Sequence, residues 1–135
     1  MGTSASNAGE EAPGEHDAIR SVLVVEDNML IALDTECALH EAGVSRVFLA
    51  SNSRAAIDEL ARETPDFGLL DFNLGDETSE GVAEALSAAG VPFCYATGYG
   101  DAMPGLALQP PCGILKKPYT RGDIAEALAR AAAGC

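Results

Sequence analysis

Short apolar runs alternate with longer amphipathic stretches along most of this 135-residue chain. The short runs are typical of strands buried on both faces of a sheet. We predict strands over 20–25, 44–50, 66–72, 91–96 and 112–116. We predict helices over 28–42, 54–63, 79–89 and 120–133. Strands that alternate with helices in this way predict a single α/β domain built on a parallel sheet.

Apolar side chains recur at roughly helical spacing in the predicted helices, and we expect them to face the core. They are Leu30, Ile31, Ala38 and Leu39 in the first helix, Ala55, Ala56, Leu60 and Ala61 in the second, and Val82, Ala85 and Leu86 in the third. Gly43 and Gly90 follow the first and third helices, where a glycine commonly ends a helix.

Two segments depart from this alternation. Residues 1–19 are small, polar and acidic, so we predict a disordered tail before a domain that spans 20–135. Residues 98–113 contain four glycines and three prolines, a composition that does not support a long helix. We predict a short or irregular fourth helix over 103–108, with a mobile surface around it.

Composition excludes several classes of protein. The chain has 8 basic and 21 acidic residues and a net charge of −13, which excludes a binder of nucleic acid or of an anionic membrane. No apolar run approaches the ~20 residues of a membrane span, and the N-terminus lacks signal-peptide features. The cysteines at 37, 94, 112 and 135 form no CxxC pair. We therefore expect a cytoplasmic protein without a disulfide framework.

Charged side chains follow the predicted strands, where an open parallel sheet binds its ligands. Glu26 and Asp27 come after the first strand, and Asp71 lies at the end of the third. Thr97 follows the fourth strand and Lys117 follows the fifth. If the first and third strands are neighbours, three carboxylates converge with a hydroxyl and an ammonium group facing them.

Carboxylates placed so closely repel one another, by roughly 4 kcal/mol per pair at ~4 Å and an effective dielectric constant of ~20. Protonation or a bound divalent cation could compensate, and an oxygen-only cluster favours Mg²⁺. Magnesium suits phosphoryl transfer, in which a carboxylate can itself accept the phosphoryl group. The simpler alternatives are a helix cap for Glu26 and Asp27, and ordinary turn or surface roles for the other residues.

Four motifs together resemble a response-regulator receiver domain. They are VLVVEDN at 22–28, LLDFNLG at 69–75, YATGYG at 95–100 and LKKPY at 115–119. The resemblance covers about residues 20–134. It implies a flavodoxin-like (βα)5 fold with a five-stranded parallel sheet in the order 2-1-3-4-5, an order that receivers exemplify.

The resemblance also implies roles for individual residues. Asp71 matches the phosphoacceptor, Thr97 the switch hydroxyl, and Lys117 the lysine that contacts the phosphoryl group. The bond from Lys117 to Pro118 is expected to be cis. The implied Mg²⁺ ligands are Asp27 directly, Glu26 through water, Asp71, and the backbone carbonyl of Asn73.

Residues 95–100 are similar to the motif of the "FAT GUY" receivers, which are mostly single-domain proteins. Tyr95 replaces the usual Phe, and Gly100 stands where a Tyr is expected. Ile114 occupies the position of the aromatic switch of ordinary receivers. Tyr99 either shields the phosphoryl group from water or packs on the surface, and both readings stay open.

The implied function is that of a stand-alone response regulator, which accepts a phosphoryl group from a sensor histidine kinase of the HWE or a related family. It is not an enzyme beyond its own phosphorylation and slow dephosphorylation. Its output is contact with a downstream regulator or drainage of phosphate from the kinase. The alternatives are a small Mg²⁺-dependent phosphohydrolase, disfavoured because Asn73 replaces a second Asp, and a pseudo-receiver that binds partners without phosphorylation.

Overall fold

A computed structural model describes residues 18–98 and 110–135. The predicted tail lies almost entirely outside the described residues. So do the predicted helix over 103–108, Tyr99 and Gly100.

The structure describes five strands and four helices, and each of these nine elements lies within two residues of its predicted bounds. The strands are β1 (Ser21–Val25), β2 (Arg46–Ala50), β3 (Phe67–Asp71), β4 (Phe93–Thr97) and β5 (Ile114–Lys116). The helices are α1 (Met29–Glu41), α2 (Ser53–Arg62), α3 (Glu80–Ala88) and α4 (Arg121–Ala132). All strand pairs are parallel, in the order β2-β1-β3-β4-β5. The flavodoxin-like order is therefore confirmed. None of these four helices is long and apolar enough to cross a bilayer.

Two apolar clusters cover the two faces of the sheet, because successive side chains of a strand point to opposite faces. Val22 and Val24 of β1 join one cluster, together with residues of α1 and α4. Leu23 and Val25 join the other, together with residues of α2 and α3. The central strands β1, β3 and β4 are buried along their whole length, which explains why they are continuous apolar runs.

Asn28 is the N-cap of α1. Its side-chain oxygen accepts hydrogen bonds from the backbone N–H groups of Leu30 at 3.0 Å and Ile31 at 3.1 Å. These bonds satisfy two of the amide groups that a helix leaves free at its first turn. The alternative that Glu26 and Asp27 serve as the cap is therefore wrong, and both carboxylates are available for other contacts.

Two predicted core positions are wrong. Leu30 is 80% exposed, and Ala61 is exposed at the end of α2. The buried stripe of α1 runs through Ala32, Thr35, Ala38 and Leu39. Because each residue turns a helix by about 100°, Leu30 lies about 200° from Ala32 and faces away from the sheet. Thr35 occupies a buried position that the apolar pattern had not indicated.

A disulfide joins Cys112 to Cys135, with the two Cα atoms 5.3 Å apart. The prediction of no disulfide framework is therefore wrong for this one pair of cysteines. The C-terminal turn of α4 returns to the residues just before β5, where the Arg130 side chain also donates hydrogen bonds to the Cys112 carbonyl. No local spacing indicates this pairing, because α4 brings together residues 23 positions apart. Cys37 and Cys94 are free thiols.

Candidate functional site

Three carboxylates meet at the carboxyl ends of β1 and β3. The two strands are neighbours, with Val25 paired to Leu70, so the residues that follow in each strand lie side by side. Glu26 and Asp71 are almost completely buried, whereas Asp27 is exposed. One carboxylate oxygen from each of the three residues lies within 4.8 Å of the others. The convergence predicted from strand ends therefore exists in the folded chain.

Lys117 reaches two of these carboxylates from the end of β5. Its Nζ lies 2.8 Å from Oε1 of Glu26 and 3.1 Å from Oδ2 of Asp71. The other oxygen of Glu26 accepts a hydrogen bond from the backbone N–H of Asn28 at 3.1 Å. The peptide bond from Lys117 to Pro118 is cis, as expected. Lys116, by contrast, lies exposed at the end of β5.

Burial shapes the protonation of this cluster. The pKa of Asp71 is raised to about 7, chiefly because burial removes the carboxyl group from water and also because Glu26 lies beside it, although the hydrogen bond and charge of Lys117 act in the opposite direction. Burial alone would lower the pKa of Lys117, but its hydrogen bonds to the two carboxylates raise it above the usual range. The lysine therefore carries its charge at neutral pH and offsets part of the carboxylate repulsion.

The remaining predicted residues lie around this cluster. Thr97 is the last residue of β4, and its carbonyl accepts a hydrogen bond of 2.7 Å from the backbone N–H of Lys117. Thr97 follows Ala96, the β4 partner of Asp71, which places it at the same end of the sheet. Asn73 is exposed two residues beyond Asp71. The loop that follows passes close to the site, since a Cβ on Gly75 would lie 3.8 Å from Oδ2 of Asp27.

The donor set fits a hard divalent cation. The three clustered residues offer oxygen atoms only, and the exposed Asp27 leaves one side open to solvent. Mg²⁺ prefers such ligands and retains several of its waters. Glu26, Asp27 and Asp71 are therefore the side chains that could hold the ion.

Sequence reasoning did not single out three residues that support the site. Asn28 holds Glu26 through its backbone N–H group, and Thr35 and Tyr119 share a hydrogen bond of 2.7 Å beside Lys117. Two signals were present in the sequence. Thr35 is a polar residue in the buried phase of α1, and Tyr119 lies two positions after the site lysine.

Comparisons with solved structures identify close structural relatives. The solution structure of SdrG from Sphingomonas melonis Fr1 is 34% identical, with a TM-score of 0.71, and the match covers 84% of this chain and 96% of SdrG. The PhyR response regulator REC domain from Erythrobacter litoralis is 22% identical, with a TM-score of 0.74 and coverage of 84% and 90%. A CheY-like receiver domain from Methylobacillus flagellatus is 19% identical, with a TM-score of 0.73 and coverage of 84% and 99%.

No protein-family model matches the chain, and no curated protein matches it. The structural matches nevertheless cover 90–99% of those three structures, and one of the relatives is 34% identical. The chain belongs to the response-regulator receiver family.

Proposed function

We propose that the protein receives its signal as a phosphoryl group on Asp71, in a reaction that requires Mg²⁺. The observation that carries this proposal is the cluster of Glu26, Asp27 and Asp71, with the Lys117 ammonium in contact with two of the three carboxylates. A structural ion pair would need one acid for the lysine. Three acids at one end of the sheet are better explained by chemistry that brings in additional positive charge.

In the proposed reaction, a carboxylate oxygen of Asp71 attacks the phosphorus of a phosphohistidine. A bond from oxygen to phosphorus forms while the phosphorus–nitrogen bond breaks, and the imidazole leaves with the electron pair and takes up a proton. Mg²⁺ bound by the three carboxylates would neutralise charge on the phosphoryl oxygens. The chain's own residues orient the reaction, since β3 holds Asp71 and Asn28 holds Glu26.

Phosphorylation would rearrange the contacts of Lys117 and Thr97. The product carries up to two negative charges and three acceptor oxygens. Lys117 already lies 3.1 Å from Asp71 and would pair with the new phosphoryl oxygens, while the Thr97 hydroxyl would bind another. Since the Lys117 N–H donates to the Thr97 carbonyl, the ends of β4 and β5 would respond together. A change of surface there would favour a different partner.

The partner that delivers the phosphoryl group must approach the carboxyl end of the sheet, where Asp71 is 5% exposed. The first turns of α1 lie on this rim and expose three large apolar side chains. Met29 is 50% exposed, Leu30 80% and Leu33 46%. A cavity of about 510 Å³ adjoins them, lined by residues that include Ile31, Lys117 and Tyr119. We assign this face to the phosphohistidine-bearing helix of a sensor histidine kinase, an amphipathic helix that would bury these side chains.

The finer assignments belong to the same proposal. The motif at 95–100 supports a receiver of the mostly single-domain FAT GUY type, with a kinase of the HWE or a related family as donor. We propose a cytoplasmic protein that is not an enzyme beyond its own phosphorylation. It signals to a downstream regulator or drains phosphate from the kinase. If it drains phosphate, its removal should raise phosphorylation of the kinase's other targets.

Incubation with acetyl phosphate and Mg²⁺ tests the proposal. We expect one acid-labile phosphoryl group by intact-protein mass spectrometry, lost when Mg²⁺ is chelated and absent in Asp71→Asn. The variant Asp66→Asn is the matched control, since Asp66 lies at the opposite end of β3 and binds backbone N–H groups there. Continuous phosphate release without accumulation would indicate a phosphohydrolase. The absence of any modification would indicate a pseudo-receiver.

The docking assignment is tested with Leu30→Ser. Because Leu30 is 80% exposed, its replacement should leave phosphorylation by acetyl phosphate unchanged while slowing transfer from a phosphorylated kinase at least about tenfold. Ile57→Ser on α2 is the control, since Ile57 is also exposed but lies on the other side of the sheet. Equal transfer rates for both variants would refute docking on α1.

A further inference from the structure

A hydrogen bond between two hydroxyl groups joins α1 to the segment that carries the site lysine. Oγ1 of Thr35 lies 2.7 Å from the phenol oxygen of Tyr119, 84 positions away in the sequence. Thr35 is 1% exposed and lies in the otherwise apolar stripe of α1. The Tyr119 ring packs against the apolar cluster on the same face of the sheet. Each hydroxyl thus satisfies the hydrogen-bonding requirement of the other, since neither is freely accessible to water.

Tyr119 lies one residue beyond Pro118, directly after the site lysine. The backbone of Lys117 is held on one side by the bond from its N–H to the Thr97 carbonyl at 2.7 Å. On the C-terminal side of Lys117, the next side-chain hydrogen bond is the one between the Tyr119 hydroxyl and Thr35. Beyond it, Thr120 caps α4 through two reciprocal hydrogen bonds with Asp123. Hydrogen bonds therefore hold the backbone at Lys117 itself and again two residues later at Tyr119.

The site and the tyrosine also interact electrostatically. Burial raises the pKa of the Tyr119 phenol, and the charges of Glu26, Lys117 and Asp71 all contribute to its value. Tyr119, Thr35 and Lys117 also line the same cavity, which places the ring beside the lysine.

We propose that Tyr119 is a positioning residue for Lys117. The bond between its hydroxyl and Thr35 anchors the Lys117–Pro118 peptide on α1, and this anchor keeps the ammonium group within reach of Glu26 and Asp71. The proposal deepens the phosphoryl-acceptor function and rests on it. Because α1 also carries the exposed apolar face, the anchor ties the lysine to the helix that we assign to kinase docking.

Two single substitutions remove the bond from opposite ends. Tyr119→Phe keeps the ring and deletes its hydroxyl, while Thr35→Val keeps the branched shape and deletes the other hydroxyl. With acetyl phosphate as donor, we expect each variant to lower the maximal rate of phosphorylation about three- to tenfold with little change in the half-saturating concentration. Thr35→Ser restores a hydroxyl at the same place and should recover most of the rate.

Tyr95→Phe is the matched control, because it deletes the same phenol hydroxyl from a tyrosine whose oxygen has no partner among the described residues. It should leave the rate unchanged. Thermal unfolding of every variant checks that the fold is intact. If Tyr119→Phe behaves like wild type, or if Tyr95→Phe loses rate equally, the positioning role is wrong.

A second measurement does not depend on phosphorylation. The ammonium group of Lys117 bonds to two carboxylates, so its protons should exchange slowly enough to give a nitrogen–proton NMR signal at low temperature. We expect this signal in wild type and Thr35→Ser, and its loss in Tyr119→Phe and Thr35→Val. An unchanged signal in the last two variants overturns the inference. If the signals behave as expected but wild type is not phosphorylated, the proposed function fails and the positioning role stands.

Discussion

At the scale of single residues, Asp71 shows how burial and charge oppose each other. Its carboxylate is almost inaccessible and lies beside Glu26, and one lysine is shared between the two. Crowded carboxylates of this kind raise the electrostatic free energy of the folded chain, and a bound cation can relieve that repulsion. That free energy is measurable as a dependence of stability on pH.

We predict that Asp71→Asn stabilises the protein at pH 8 in the absence of Mg²⁺. The pKa of Asp71 is raised from 3.8 to about 7 in the folded state, so the folded chain holds this proton more tightly. Ionisation therefore opposes folding increasingly between about pH 4 and pH 7. We expect a gain of about 1–3 kcal/mol at pH 8 and none near pH 3.5, measured by urea unfolding. Asp58→Asn, on the exposed face of α2, should show no such trend. A variant less stable than wild type at pH 8 would contradict the assignment.

Tyr95 provides a second prediction at this scale. Its ring is completely buried, edge-on to Phe72 and Phe93, but its hydroxyl has no hydrogen-bond partner among the described residues. A buried and unpaired hydroxyl destabilises a fold by about 1–3 kcal/mol, whereas removing the oxygen leaves only a small gap. We expect Tyr95→Phe to unfold at an equal or higher temperature, with a gain of up to about 1 kcal/mol. A clear loss of stability would show that the hydroxyl has a partner.

At the scale of elements, Gly68 determines how closely α3 approaches β3. A Cβ atom at this position would lie 2.6 Å from Cδ1 of Leu86 and 3.3 Å from Cβ of Phe93. The sheet and the helix can pack this closely only because residue 68 has no side chain.

We predict that Gly68→Ala lowers the free energy of unfolding by about 1–3 kcal/mol, because a core that is already packed cannot accept the extra methyl without displacing Leu86. Gly81→Ala is the control, because a Cβ there meets nothing within 4 Å and lies within α3. The control should stabilise the protein by about 0.5–1 kcal/mol. Denaturant unfolding distinguishes the two, and equal effects would contradict the packing argument.

The bounds of the strands and helices were largely predictable from the sequence. Which side of a helix faces the core was harder to predict, as α1 shows. The apolar runs of β1, β3 and β4 identify fully buried strands because both faces of a parallel sheet are covered. The prediction for Leu30 is wrong because the apolar run at 29–33 is five residues long, so the pattern does not show which of its side chains face the core. The interior position held by Thr35 becomes intelligible only through its distant partner Tyr119.

At the scale of the whole molecule, the Cys112–Cys135 bond closes a segment that contains β5, Lys117 and all of α4. Such a closure restricts the unfolded chain more than the folded one. The free energy of unfolding should therefore depend on the redox state of the protein.

We predict that Cys135→Ser, or a reducing agent, lowers the free energy of unfolding by about 2–4 kcal/mol. Cys37→Ser is the matched control, because Cys37 is an exposed free thiol and its loss should change little. Mass spectrometry under non-reducing conditions identifies the bond directly. Identical denaturation curves for oxidised and reduced protein would exclude a stabilising disulfide.

The sequence by itself determined the alternation of strands and helices, because that pattern depends only on local periodicity. It also indicated which residues end the strands, including Glu26, Asp71 and Lys117. The tertiary structure decided what those residues do to one another. The β1–β3 pairing places two carboxylates side by side, Lys117 bonds to both, and Thr35 meets Tyr119 across 84 positions. Contacts between distant parts of a chain depend on how the elements pack, and packing is a property of the whole fold.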